Sequence, residues 1–242
     1  MKRYRKWGWG LGIATVTAVT AFGLASWQAN AAPTPPAPGA AATQPRVSDP
    51  SAAPELASGT GNDPLTTSEL AKARAVAVTP QLAANARNVA GEAGPEYLSA
   101  ELDLDRPGRQ AEIYFYDYKA NKLVKQVVDL KTGKLAKSFS AAKMQLPASD
   151  REAAVALDLL LADPLAADFK AAYRKATGEE LKGKEGLVPT AHIFKAKPAD
   201  TGASQCGASR CVQLIVQTAD GHFINVSDLI IDLSGRKIAR LK

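Results

Sequence analysis

Histidine, cysteine and methionine are scarce in this chain, with two of each in 242 residues. Two imidazoles cannot build a three-histidine metal centre. A single cysteine pair, Cys206 and Cys211, cannot build a four-thiolate zinc site, and its Cys-x4-Cys spacing differs from the Cys-x2-Cys of redox-active pairs. There is no Gly-x-Ser-x-Gly elbow for serine hydrolysis, and Lys131-Thr132-Gly133-Lys134 has no upstream glycine at P-loop spacing. Acidic residues are missing from the first 31 positions, which hold four of the 30 basic residues. Beyond them 26 basic residues face 24 acidic ones, a balance of +2. That balance gives no case for nucleic acid as a partner.

The amino terminus has the form of a secretory signal. Lys2, Arg3, Arg5 and Lys6 precede a charge-free run from Gly8 to Trp27, and Ala29-Asn30-Ala31 offers a cleavage site between Ala31 and Ala32. The alternative is an uncleaved membrane anchor, since about 20 apolar residues can just span a bilayer. Either way the protein is expected outside the cytoplasm, secreted or in the cell envelope. The segment has no Arg-Arg pair and no cysteine near the cleavage site, which disfavours twin-arginine export and excludes a lipoprotein. Residues 32–62 are built from Ala, Pro, Ser, Gly and Thr, with prolines at 33, 35, 36, 38, 45, 50 and 54. Such a stretch cannot bury enough surface to offset its ordering entropy and is expected to be a disordered tether.

The rest of the sequence is organised around one pattern written twice. Ile113 to Tyr118 and Leu123 to Leu130 are aromatic and β-branched runs joined by turn residues. Asp129 to Lys134 then turns into a third extended piece from Leu135 to Phe139. A looser copy, Leu214 to Ile238, turns at Asp220-Gly221 and again at Asp232 to Gly235, the second turn being one residue shorter than its counterpart. Ahead of the first meander come an Ala-rich helix opened by a Thr66/Glu69 capping box, a short helix after Pro80, and a strand alternating Tyr97, Ser99, Glu101 against Leu98, Ala100, Leu102. Arg106-Pro107-Gly108 turns the chain into the meander. Ahead of the second come a helix opened by Ser149/Glu152, a second helix carrying Leu165, Phe169 and Tyr173 and ended by Gly178, and a strand from Thr190 to Lys197. The expected fold is α+β, with one helix-plus-sheet domain at 63–145 and another at 146–242.

Residues 63–78 (DPLTTSELAKARAVAV), 113–135 and above all 156–178 (ALDLLLADPLAADFKAAYRKATG) resemble the two small amino-terminal domains of copper amine oxidases. The resemblance implies two tandem cystatin-like units, each a helix packed on a curved antiparallel sheet. It does not bring the family's chemistry with it. That chemistry needs three histidine copper ligands and a tyrosine in Thr-x-x-Asn-Tyr, whereas this sequence has His192, His222 and no such motif. No cofactor and no enzymatic activity are expected.

Four sets of residues invite a functional reading. Tyr114, Tyr116 and Tyr118 fall on one face of a strand, as a platform for a glycan or peptide or simply as packing. Cys206 and Cys211 are read as a disulfide in an oxidising compartment; a metal site joining them to His192 and His222 would require all four to converge. Gln126-Val127-Val128 matches the start of the Gln-Val-Val-Ala-Gly loop of cystatins, and Asn225-Val226-Ser227 fits a glycosylation sequon. The favoured function is an exported non-catalytic module that binds a protein, peptide or envelope component, with no nucleic acid and with membrane contact only through an uncleaved signal. The alternatives are an accessory partner of a separate amine oxidase chain and a protease inhibitor.

Overall fold

The computed structural model describes residues 58–105 and 107–241. The expected signal and its Ala31–Ala32 cleavage point, residues 32–57 of the tether, and Arg106 of the first turn lie outside them. The described chain falls within one compact unit and has an α+β architecture, helices packed on two antiparallel sheets. Among the described residues no helix is long and apolar enough to cross a membrane.

In the first half, α1 (Thr67–Ala77) starts where the sequence places it. Thr66 Oγ1 accepts from the Glu69 N–H at 3.1 Å, and Glu69 Oε2 accepts from the Thr66 N–H at 3.0 Å, so two of the helix's orphan donors are satisfied reciprocally. Pro80 opens the short α2 (Pro80–Asn85) at the one helical position that tolerates it. Four strands follow in a plain meander: β1 (Glu96–Asp103), β2 (Gln110–Asp117), β3 (Lys122–Asp129) and β4 (Lys134–Ala142). Ala73 and Ala77 let α1 lie close on the sheet, over Ala111, Ile113, Phe115, Val124 and Val128. The expected alternation in β1 fails at one point. The register passes from Tyr97↔Phe115 to Ser99↔Tyr114, so Leu98 is an extra residue, and the bulge brings Tyr97 onto the core face with Ala100.

The second half repeats the plan with α3 (Asp150–Ala162), α4 (Ala166–Thr177), β5 (Leu187–Phe194), β6 (Cys211–Thr218), β7 (Phe223–Ile224), β8 (Leu229–Asp232) and β9 (Lys237–Arg240). Ser149 and Glu152 form the second capping box, and Gly178 caps α4 at φ 78°, a left-handed conformation that costs glycine little. Ala156, Leu157 and Leu160 of α3 and Phe169 of α4 meet Val212, Leu214, Val216 and Ile231 in the larger core. Both β7 and β8 pair with β6, so the expected continuous strand is one strand broken at 225–228. Asn225 Oδ1 accepts from the Ser227 N–H at 3.1 Å and from Ser227 Oγ at 2.8 Å, and this local turn competes with the ladder. The sequon asparagine therefore sits in a bulge, with Val226 turned inward.

The matching turns correct the sequence reading. Asp129 pairs Lys134 and Asp232 pairs Lys237, so the two loops are equal in length. Gly133 takes positive φ in the first and Arg236 in the second, with Gly235 shifted one place. Gly235 serves a different purpose: a Cβ there would lie 2.6 Å from Asp232 Oδ2 and would push aside the carboxylate whose Oδ1 receives the Gly235 N–H at 2.7 Å.

The halves interlock. Val89 and Tyr118 of the first pack into the core of the second, and Arg236 Nη1 donates to the Val89 carbonyl. Cys206 and Cys211 form a disulfide with Cα atoms 5.4 Å apart. Their loop packs Ala203, Cys206 and Cys211 against Ile230, so it closes over the outer side of the second sheet as a small core of its own.

Candidate functional site

The pleat of the first sheet puts Ala111, Ile113 and Phe115 against the helix and turns Glu112, Tyr114 and Tyr116 to the other side. Pairing then lines Tyr114, Lys125 and Phe139 in one row across β2, β3 and β4, with Leu123 and Ala141 in the next. Lys125 Nζ is tied to Glu112 Oε1 at 2.6 Å and stands 5.8 Å and 5.7 Å from the Tyr114 and Phe139 ring centres. Tyr114 donates its hydroxyl to Glu112 Oε2 at 2.5 Å. Burial, reinforced by that carboxylate, pushes the phenol above its ordinary pKa, so Tyr114 stays a neutral donor. With Met144, these residues line an apolar groove of about 370 Å³, at whose rim Phe139 and Met144 are 49% and 54% exposed. What sets these two apart from singly exposed apolar residues such as Leu104 and Phe223 is that they adjoin one another across a groove.

Of the three tyrosines expected to share a face, only Tyr114 belongs to this groove. Tyr116 is fully buried, under the Arg210 guanidinium 5.0 Å from its ring centre. Tyr118 lies past the end of β2, so the turn and not the pleat directs it, and its hydroxyl donates to Glu152 Oε1 at 2.5 Å. The expected platform is thus corrected to one exposed-side tyrosine, because the second half covers the other two. Gln126, Val127 and Val128 are buried in the middle strand of the ladder and form no protruding inhibitory loop. His192 lies on β5 opposite Gln213, His222 faces Asp220 at 3.3 Å, and both cysteines are in the bridge. No group of three or more His, Cys, Asp or Glu fit to hold a metal occurs among the described residues.

A second polar cluster is buried, and sequence reasoning missed its arginines. Arg210 donates from Nε and Nη2 to the two Glu152 oxygens at 2.6 Å and 2.7 Å, and to Gln145 Oε1 and the Leu146 and Pro147 carbonyls. Glu152 also receives Tyr118 and the Ser149 N–H. Both side chains are fully buried, and every carboxylate oxygen carries two donors. Acid–base residue types are present, but a reacting atom has no way in, so the cluster is structural. The first half holds the same device: Arg109 grips Glu69 at 2.8 Å and 2.7 Å and the carbonyls of Gly61, Asp63 and Pro64. Gly59, whose N–H donates to Glu69 Oε1 at 3.2 Å, and Gly61 are placed by their composition in the tether but are therefore part of the folded body. Beside the Glu152 clamp, where Ser149 Oγ donates to Glu96 Oε1 at 3.3 Å, burial pushes the Glu96 carboxyl above its ordinary value, against the Val89 N–H that it accepts.

No family model matches the sequence, and no curated protein matches it. Among solved structures it is similar to a copper-containing benzylamine oxidase from Hansenula Polymorpha, at 14% identity and a TM-score of 0.41, over 75% of this chain and 29% of that one. The chain thus spans under a third of its structural neighbour's length, and at this level of likeness neither activity nor cofactor is carried across.

Proposed function

We propose that this protein is an exported binding module without chemistry of its own, which holds a protein, peptide or envelope component in the groove of its first sheet. In this reading residues 63–145 and 146–242 are tandem cystatin-like units, cleavage falls at Ala31–Ala32, and the Pro-rich tether holds the units away from a membrane or wall. The observation that carries it is the groove itself: Tyr114, Phe139 and Met144 present apolar surface beside a lysine already fixed by Glu112. The disulfide accords with an oxidising compartment.

The test is capture of envelope components by the immobilised mature protein, comparing wild type with Phe139→Glu, Met144→Glu and the control Ile215→Glu on the second sheet. Phe139→Glu and Met144→Glu are expected to lose the captured species, and Ile215→Glu to keep it. Capture indifferent to both groove substitutions, or amine-dependent peroxide release by the purified chain, would overturn the reading.

A further inference from the structure

We propose that the partner is an extended acidic polypeptide that adds a strand to β4, an inference that rests on the binding-module reading. Among the described residues β4 of the first sheet pairs with β3 alone, which leaves a nine-residue edge (Lys134–Ala142) with one side of its backbone unpaired by them. Such an edge is a template for another strand.

What separates this edge from an ordinary one is that β4 is flanked on both faces. On one side lies the apolar groove with Phe139 and Ala141. On the other, a polar groove of about 330 Å³ runs between α2 and the strands, lined by Ser138, Ser140, Gln126, Asn85, Lys122 and Asp117. There the buried Gln126 Oε1 finds no hydrogen-bond partner among the described residues, although a buried amide oxygen normally has one. An added strand projects side chains alternately to the two faces. One set would enter the groove beside Phe139, on the face where the register also puts Lys134 and Lys137, and the other the polar groove.

Charge selects the partner. Residues 118–143 hold seven lysines against a single acid, Asp129, and Lys134, Lys137 and Lys143 are exposed along the edge. Two copies of β4 brought together would set Lys134 and Lys137 of each chain on one ladder, with Lys143 just past its end, which is repulsive. The lysines that deter self-pairing favour a strand bearing carboxylates, and the free backbone groups favour a polypeptide over a polyanion that lacks them.

The probe is a fluorescent peptide alternating Glu with Val, set against a Lys-Val peptide and a proline-interrupted Glu-Val peptide. Anisotropy reports binding, and amide hydrogen exchange reports β4. The Glu-Val peptide is expected to bind and to slow exchange along Lys134–Ala142, and the other two are expected to do neither. Lys134→Glu combined with Lys137→Glu should weaken Glu-Val binding about tenfold or more, and should gain the Lys-Val peptide. Equal binding of the two charged peptides, or binding that leaves β4 exchange unchanged, overturns the proposal. So does concentration-dependent protection of β4 without peptide, which would make a second copy the occupant. Envelope capture that still depends on Phe139, together with no peptide binding, would sink the strand proposal while leaving the groove reading intact.

Discussion

The two halves use one device and depend on it differently. In each, a Pro-x-(Thr/Ser)-x-x-Glu run enters a helix, the glutamate caps that helix, and an arginine just ahead of the second strand grips the glutamate with both edges of its guanidinium. The arginine's own carbonyl then receives the N–H of the residue after the turn aspartate: Leu130 to Arg109 at 3.1 Å, Leu233 to Arg210 at 2.9 Å. The surroundings differ. The side chains of Arg109 and Glu69 keep 13% and 6% exposure, whereas Arg210 and Glu152 keep none. Only the second pair is covered by the other half, through Tyr116 and Tyr118. The first clamp closes a chain entry; the second also joins the halves. The same bonds matter more where water cannot replace a lost partner.

Removing one member of each clamp should separate the two halves most widely in stability. Glu152→Gln or Arg210→Met leaves a buried group without its counterpart and is expected to cost about 3–5 kcal/mol. Glu69→Gln or Arg109→Met, with water at hand, should cost about 1.5–3 kcal/mol. Urea denaturation measures both. A cost at Glu69 equal to that at Glu152 would show that coverage by the other half adds nothing. The Arg210 and Glu152 substitutions should also lower the hydrogen-exchange protection of the first half's β2 strand end, which the Arg109 and Glu69 substitutions should leave alone.

The next contrast is in pH. The Arg109 guanidinium, helped by the Thr66 and Gly59 N–H groups, lowers the Glu69 carboxyl from 4.5 to about 2. A carboxyl depressed on folding binds fewer protons in the native state, so its contribution is complete above about 4.5 and is lost as pH falls towards 2. Glu96, raised by burial, acts in the opposite sense: protonating it favours the fold, so its burial costs least in acid. Exchange at the amino-terminal turn of α1 is therefore expected to accelerate below pH 4.5 before the second core opens, and Glu69→Gln should abolish that step. The loss cannot exceed the cost of Glu69→Gln at neutral pH; a larger one would assign the acid transition to other carboxylates.

The sequence carried the elements well, because helix starts and strand periods are local. Thr66/Glu69 and Ser149/Glu152 are visible as capping boxes, and the meanders as alternating runs. What it did not carry is where one element lies over another. Tyr116 alternates like Tyr114 and is buried only because the second half covers it. The Leu98 bulge needs its β2 partner to be seen. The clamps were half legible: Pro64-x-Thr66-x-x-Glu69 matches Pro147-x-Ser149-x-x-Glu152, and Arg109-x-Ala111-x-Ile113 matches Arg210-x-Val212-x-Leu214. Their separations, 40 residues in one half and 58 in the other, conceal the pairing. The apolar groove depends on the register that sets Phe139 beside Lys125, which no single strand reveals.

The disulfide belongs to the second half alone, and its removal sharpens the difference between the sheets. Closing so short a ring restrains the unfolded chain by about 2 kcal/mol, and Cys206→Ser with Cys211→Ser should lower stability by that amount. Because the loop packs on Ile230, the exchange protection lost should be confined to β8, β9 and the loop. A collapse that reached the first sheet would mean that the loop supports the whole unit.

The smallest effect separates the two equal turns. Gly133 takes φ 64° with open space around its α-carbon, so Gly133→Ala meets no clash and bears only the left-handed backbone cost, about 1 kcal/mol. Arg236 already bears that cost at φ 50°, and the fold tolerates it while its guanidinium reaches the Val89 carbonyl across the halves at 3.3 Å. Arg236→Gly should relieve the strain and lose the bond, two opposed terms of about 1 kcal/mol each, for a net change near zero. Arg236→Ala keeps the strain and loses the bond, so it should fall about 1 kcal/mol below the glycine variant. Thermal melting of the three variants decides the matter. If Arg236→Ala and Arg236→Gly melt together, the left-handed conformation is not what that turn has to bear, and the parallel drawn between Gly133 and Arg236 fails.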